Sequence, residues 1–408
     1  MAINLTKILN QVQDRINDSA TTDRDLDKLI KIADRINNSG VQVKTYGSTG
    51  QLPTISDSAY IGTIAYVSSD NIFGDSDGRF YYASGTDSGW RGFTTTQDSA
   101  EALIEAPSGG TTVAAMPFQG VAFGYAMGGY PVRNTIEKYP YTADGNSTDV
   151  SDLTGTKYYL ASSTSTTHGY AHGGTSAPGS VLNVIEKLTF STEGNATDVG
   201  NLTVARTQPG GTSGSTHGYA AGGTGPSTYV NVIDKYAFAT DGNATDTGDL
   251  TGTRFEMGVG VLASDTNGYF SGGRRGTSPF LRLNVIEKFP FASDGNTTDT
   301  GDITVARSSV SNTSSNENGY TAGGFNPPYS DVIDKFPFSA EGDATDVGNL
   351  TEARRLVAGT MSTTHGYRHG GNNPNPTAID KYSFSTDGNA TDVGDLTSGG
   401  NGMGGTQV

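Results

Sequence analysis

A chain of 408 residues is too long for a single ordinary hydrophobic core, so it divides into domains or repeats. Charged residues make up only 17%, against roughly 25% in an average soluble domain, and Gly reaches 57 residues, a composition of strands and tight turns. The formal net charge of −16 argues against nucleic acid and anionic lipid surfaces, and the absence of cysteine removes disulfides, thiolate metal ligands and thiol nucleophiles.

The chain opens without a basic stretch followed by a sustained apolar run. No segment approaches the roughly 18 apolar residues of a membrane span, so neither an export signal nor membrane insertion is expected. Within residues 1–40, Leu5, Ile8, Leu9, Val12 and Ile16 recur at helical spacing. Leu26, Leu29, Ile30, Ala33 and Ile36 do the same after the capping cluster Thr21-Thr-Asp-Arg-Asp25. This spacing predicts two short amphipathic helices. Helices this short gain their stability from packing, so residues 1–40 are expected to dock on each other, on copies of the chain or on a larger assembly. Residues 41–105 lose the helical period. Gly62-Thr-Ile-Ala-Tyr-Val-Ser and Gly78-Arg-Phe-Tyr-Tyr-Ala-Ser, followed by Gly89-Trp-Arg-Gly-Phe93, predict a small β-rich module.

From residue 106 onward the sequence repeats. Gly-Tyr recurs at 124/125, 169/170, 218/219, 268/269, 319/320 and 366/367, in steps of 45, 49, 50, 51 and 47. Each copy continues through Gly-Gly, a variable stretch, Ile-Glu/Asp-Lys, an aromatic-rich run and Asp/Glu-Gly-Asn/Asp-x-Thr-Asp. A period near 50 with several short strand signals marks a propeller blade, because one four-stranded blade cannot bury both its faces alone. Residues 106–408 are therefore expected to form an all-β, six-bladed β-propeller, with an unclosed stack of β-repeats as the alternative. Four strands are predicted per unit: one after Leu-Thr-x-x-Arg/Lys, one from Gly-Tyr to Gly-Gly, one through Val-Ile-Asp-Lys-Tyr-x-Phe, and one around Asp-x-Gly-Asp-Leu-Thr. The diglycine suits the crowded axis. The glycine-rich tail from Asp395 to Val408 reads poorly as a strand, which makes the seam between first and last blades the weakest point of closure.

These units resemble the kelch family, which carries a diglycine, a tyrosine, a Tyr/Phe-containing strand and an arginine opening the next unit. The resemblance covers about 300 residues, and it departs from the family in two ways. Here Tyr125, Tyr170, Tyr219, Tyr269, Tyr320 and Tyr367 precede the diglycine, and the tryptophan late in a kelch unit is missing, Trp90 being the only one in the chain. The Ile-Ala-Tyr-Val, aromatic and Gly-Trp strands of residues 41–105 resemble the small β-modules of phage tail fibres. With the helical start, they make the whole similar to structural proteins of tailed phages infecting cyanobacteria.

Landmark spacing separates scaffold from adaptable loop. From Ile136, Ile185, Ile233, Ile286, Ile333 and Ile379 to the acid of the next turn is eight residues in every copy, a fixed hairpin. From the second glycine to the same isoleucines the distance is 7, 11, 10, 13, 9 and 8. Strands alternate in direction, so these variable loops share one face with the blade-to-blade connections. Their aromatic, Arg and Asn residues are the candidate recognition set: Tyr130, Arg133, Tyr229, Arg274, Arg275, Phe280, Arg282, Phe325, Tyr329, Asn372 and Asn373.

Other constellations carry less. The Asp-Gly-Asn-x-Thr-Asp turn offers oxygens at positions 1, 3 and 5, but it lacks the Gly at 6 and the Glu at 12 of a calcium loop, so a self-capped hairpin turn is expected. It shares residues with the aspartate boxes of sialidase propellers without their order or Trp. His168/His172 and His365/His369 could share a strand face, yet strand-end hydrogen bonding explains them without a metal. No unique carboxylate pair or Ser/His/Asp arrangement stands out, so no enzyme and no cofactor is expected. The expectation is a virion protein of tail-fibre or appendage type. Its residues 1–40 would dock to other virion proteins, its copies would form a trimer, and its propeller would bind a host surface glycan or protein. A purely structural or capsid-decorating virion protein is the alternative, and a glycan-processing enzyme a third class.

Overall fold

The six copies fold into the six blades of a closed β-propeller. The computed structural model describes residues 116, 118–276, 279–372 and 377–408, together with four strands nearer the N-terminus. Those four, Val43–Tyr46, Ile64–Val67, Arg79–Ala83 and Trp90–Gly92, form one sheet in that order. The last three are the strands the sequence predicts. Val43–Tyr46, which it does not single out, pairs in parallel with Ile64–Val67. The two predicted helices, with Leu5, Ile8, Leu9, Val12, Ile16, Leu29 and Ile30, lie outside the described residues. The chain divides into two compact units, 1–114 and 115–408.

Blade 3 shows the pattern. Gly210–Ser213 is innermost, followed outward by His217–Ala221, Val232–Ala237 and Thr245–Asp249, each antiparallel to the last. Blades 2 (161–201), 5 (311–349) and 6 (358–395) repeat it. In blade 4 only the outer three strands are regular. Its inner segment instead bridges across the axis, Val259 pairing with both Ser311 and Ala358. The third strand is buried on both sides between neighbouring blades, and in all six blades a bulge falls between its Ile and the following acid.

Closure is made by the tail. Gly404–Gln407 is the innermost strand of blade 1, antiparallel to Phe123–Met127, with Gly404 opposite Met127 and Gln407 opposite Gly124. The glycines that weaken it as an isolated strand are what let it fit, because a Cβ at Gly405 would strike the Gly359 carbonyl of blade 6. The inner strands are buried along their whole length and their hydroxyls tie blade to blade. Ser162 Oγ donates to the Gly405 carbonyl (2.7 Å), Ser163 Oγ to that of Thr212 (3.0 Å) and Thr212 Oγ1 to that of Leu262 (2.9 Å). At the face opposite the loops, Met116 and Phe118 pack against Val261, Ala263 and Met361 and plug the axis.

The repeated residues are junction residues. Tyr125, Tyr170, Tyr219, Tyr269, Tyr320 and Tyr367 stack on Phe190, Phe238, Phe291, Phe338, Phe384 and Tyr141 of the next blade, at centroid distances of 5.1, 4.9, 5.2, 5.0, 4.8 and 4.4 Å. The lysine of Ile-Glu/Asp-Lys reaches the turn acid of the next blade: Lys138 to Glu193 (2.5 Å), Lys187 to Asp241 (2.5 Å), Lys235 to Asp294 (2.7 Å), Lys335 to Asp387 (2.5 Å) and Lys381 to Asp144 (2.6 Å). Lys288 on Glu341 completes the ring. The Asp-Gly-Asn-x-Thr-Asp turn caps itself through its last Asp, Gly248 N–H donating to Asp246 Oδ1 (3.1 Å), while its Asn caps the neighbouring blade. Asn243 Oδ1 accepts from Asn201 N–H (3.0 Å), and Asn146 Oδ1 from Asp395 N–H (2.9 Å) across the seam.

The Leu-Thr-x-x-Arg segment clamps onto the acid of the following blade. Arg206 pairs with Asp234 and Arg307 with Asp334, both pairs fully buried, while Arg354 meets Asp380 at 2.7 Å. Thr203, Thr304 and Thr351 add hydroxyl bonds to the same carboxylates. The diglycine does not line the axis. It ends the second strand, where Gly222 (φ +57°) and Gly223 (φ +101°) turn the chain in the left-handed region, and Gly223 N–H donates to the Arg254 carbonyl (2.7 Å) of the next linker. The crowded axis takes its glycines from the inner strands instead.

Candidate functional site

The second-to-third-strand loops and the blade linkers emerge together on one face, in concentric rings around the axis. The innermost ring is formed by the fifth residue after each linker threonine: Tyr159, Gln208, Glu256, Ser309, Leu356 and Gly402, all left-handed with φ between 54° and 64°. Five of these are not glycine, a conformation held only where surrounding structure over-determines it. The cause is a closed cycle of backbone hydrogen bonds. Gln208 N–H donates to the Tyr159 carbonyl, Glu256 to Gln208, Ser309 to Glu256, Leu356 to Ser309, Gly402 to Leu356 and Tyr159 to Gly402, at 2.7–3.2 Å. Beneath it lies a cavity of about 20 Å³ lined by Leu160, Pro209, Met257, Val310, Val357 and Met403. An apolar space of that size stays dry and holds no sugar ring.

The next ring is a set of bridged pairs, each joining the residue after the linker Arg/Lys to the residue after the diglycine. They are Asn401 with Tyr130, Tyr158 with Thr175, Thr207 with Thr224, Phe255 with Arg274, Ser308 with Phe325 and Arg355 with Asn372. The backbone is the same in every copy while the side chains differ completely. Over blades 3 to 6 they build a continuous aromatic and guanidinium strip. Tyr229 stacks flat on Phe255 (4.5 Å, 2°), and Phe280 stands edge-on to Phe255 (5.6 Å). Arg274 lies over both Phe255 (4.7 Å) and Phe280 (4.3 Å) and pairs with Arg282 across a short hairpin. Arg282 covers Phe325 (4.5 Å), and Arg355 covers Phe325 (4.9 Å) and Tyr329 (5.5 Å).

Six of the eleven residues singled out from the sequence thus meet in one strip: Tyr229, Arg274, Phe280, Arg282, Phe325 and Tyr329. Arg275 is exposed beside them. Tyr130 is 50% exposed on blade 1, edge-on to Tyr158 (5.5 Å), away from the strip. Arg133 has a structural place. The last linker carries Gly400 where other copies have Arg or Lys, and Arg133 fills that space, donating to the Ser398 carbonyl (2.8 Å) and standing 3.9 Å from Glu137. Asn372 donates its N–H to the Arg355 carbonyl (2.9 Å), and Asn373 lies outside the described residues. Phe255 and Arg355 are missing from the sequence candidates because those come from the second-to-third-strand loops, whereas these two follow the clamp arginine in the linkers on the same face. Their signal was available, since that position runs Tyr158, Thr207, Phe255, Ser308, Arg355, Asn401 directly after a residue that is Arg or Lys in five of the six copies.

Charge on this face is uneven. Glu256, buried at the ring, is satisfied four times: by Arg274 (2.6 Å) and Gln208 (3.3 Å) on Oε1, and by Ser308 (2.8 Å) and Ser309 (3.0 Å) on Oε2. The histidines sit elsewhere. His172 and His369 are fully buried in blade interfaces, His172 Nε2 beside Ser163 Oγ (3.2 Å) and His369 Nδ1 beside the Tyr139 hydroxyl (3.1 Å). Burial pushes both down from 6.5 to about 3, the Arg206 charge adding to the effect at His172. Among the described residues no three His, Asp or Glu side chains are grouped to hold a metal ion. Comparison with protein-family models finds no match for this chain, and comparison with curated protein sequences finds none either.

Proposed function

We propose that this chain is a structural protein of a tailed-phage particle, of tail-fibre or appendage type, whose kelch-like propeller attaches the particle to a host surface glycan or protein through its loop face. Residues 1–40 would join it to other virion proteins, and a trimer is the assembly expected of a fibre. The kelch-like character rests on the diglycine, the tyrosine, the aromatic third strand and the linker arginine, with the two departures noted above. The phage reading rests on the small β-module and the helical spacing before it.

One observation carries the attachment reading. On one face, large aromatic and arginine residues are concentrated at bridged positions that keep their backbone but not their side chain (Phe255, Arg274, Phe325, Arg355) and in the adjoining loops of variable length (Tyr229, Phe280, Arg282, Tyr329). Such residues dominate binding surfaces because rigid rings and planar guanidinium groups yield contact area at low entropic cost. The test is adsorption of the purified chain to host cells, alongside immunolabelling of particles. A Tyr229→Ala, Phe280→Ala, Phe325→Ala variant is expected to lose at least about tenfold in adsorption. Unchanged adsorption removes the loop-face role, and label on the capsid with no cell binding favours the decorating protein instead.

A further inference from the structure

Resting on the loop-face reading, we propose that the ligand is an anionic polysaccharide whose carboxylate or sulfate groups are held by Arg275, Arg282 and Arg355. The argument starts from an account of every cation in the propeller. Lys138, Lys187, Lys235, Lys288, Lys335 and Lys381 are used in the ring between blades. Lys157, Arg206, Arg254, Arg307 and Arg354 clamp the linkers, Arg133 takes the sixth such place, and Arg274 is held by Glu256. Four remain without a carboxylate within 4 Å among the described residues: Arg275, Arg282, Arg355 and the fully buried Arg368. Three of those four lie together on the loop face.

Their geometry is that of a receiver for anions. The guanidinium groups of Arg282 and Arg355 both lie against Phe325, at 4.5 and 4.9 Å from its centroid. Two like charges over one ring repel, and an anion seated between them relieves that repulsion. Both Nε atoms are buried without a hydrogen-bond partner, so each guanidinium keeps an unsatisfied donor beside the ring. In a chain of net charge −16, three uncompensated cations grouped on one face are a local reversal of sign that draws an anion there. Phe280 and Tyr329 stand beside them as apolar platforms for sugar faces, and the spread of the strip over several blades matches a polymer with charge at intervals rather than a single small anion.

The full chain is titrated calorimetrically with alginate, dextran sulfate, neutral dextran and poly-L-glutamate at low and moderate NaCl. Alginate or dextran sulfate is expected to bind, more weakly as salt rises. The triple variant Arg275→Gln, Arg282→Gln, Arg355→Gln is expected to lose at least about tenfold in that affinity, since each charge-assisted contact contributes substantially. Should the triple variant unfold, Arg275→Gln alone, at an exposed position outside the stacked set, is expected to show about a threefold loss of the same affinity. Dextran binding as tightly as the charged polymers, undiminished binding by the variants, or preference for poly-L-glutamate overturns the proposal. If neutral glycan binds and Phe280→Ala weakens it, the loop-face reading stands without the anionic ligand. If no polymer binds, the anionic ligand is overturned, and the loop-face reading, which admits a protein, is decided separately by cell adsorption of the Tyr229→Ala, Phe280→Ala, Phe325→Ala variant.

Discussion

Single side chains in this propeller divide sharply by burial. Asp234 and Arg206 are both fully buried, with Thr203 supporting the carboxylate, so Asp234→Ala strands a guanidinium and is expected to cost about 3–5 kcal/mol. Lys381→Ala removes a pair whose acid, Asp144, is 47% exposed, and is expected to cost under about 1 kcal/mol. Urea denaturation of the two variants checks the contrast, and equal losses would contradict it. The buried histidines make a pH prediction. Folded, His172 and His369 stay neutral down to about pH 3, whereas the unfolded chain takes up protons below about 6.5. Stability present above pH 6.5 is therefore lost as pH falls towards 3, by up to about 1.4 kcal/mol per pH unit for each histidine. Unfolded carboxylates titrate nearer pH 4, so the window from 6.5 to 5 isolates the histidines. Replacing both with Asn is expected to reduce the slope of the urea midpoint across that window, the remainder coming from His168, His217 and His365, which partial burial also pushes down, and an unchanged slope refutes the assignment.

At the scale of elements, the closing strand does more than its length suggests. Gly404–Gln407 supplies the inner edge of blade 1, and its neighbours reach across to it from blades 2 and 6. Truncation after Met403 would leave Phe123–Met127 as an open edge and uncover the Ser162 and Thr164 hydroxyls, the first of which donates to Gly405. Thermal unfolding followed by circular dichroism is expected to lose its single sharp transition or to shift down by well over ten degrees. A truncated chain that melts like the intact one would show that closure lies elsewhere. The same element exposes the limit of local propensity. Gly-Gly-Thr-Gln-Val is a poor strand by composition, and it forms one because the space between blades 1, 2 and 6 admits only residues without a Cβ at Gly405.

For the molecule as a whole, the axis is sealed at both ends: by the hydrogen-bonded ring on the loop face and by Met116 and Phe118 on the other. The second compact unit begins at Ala115, so a chain of 115–408 is expected to fold with native stability. A chain of 122–408 loses two fully buried side chains, each contributing about 1.5–3 kcal/mol, and the Gln119 bond to the Ser314 carbonyl. It is expected to be less stable by about 3–6 kcal/mol in urea. Equal stability of the two would mean that the plug is a passenger.

The repeat itself determined the architecture. Six copies of Gly-Tyr, Gly-Gly, Ile-Asp/Glu-Lys and Asp-Gly-Asn at near-constant spacing specify six equivalent four-stranded units, since period and turn chemistry are local properties of the chain. The variable loops likewise pointed to the face that carries Tyr229, Arg274, Phe280, Arg282, Phe325 and Tyr329. What the repeat could not show is why each residue recurs, because the recurring contacts cross into the next blade, 28 positions away for the Arg206 clamp and 54 for Lys187. Only the tertiary structure reveals Tyr219 stacking on Phe291, Lys381 reaching back 237 residues to Asp144, and the diglycine meeting a linker carbonyl rather than the axis. It alone brings Phe255 and Arg355 into the strip and places Arg133 where the last linker lacks its arginine. Closure was decided there too, since a glycine-rich tail becomes a strand only in the space shaped by the inner segments of the other blades.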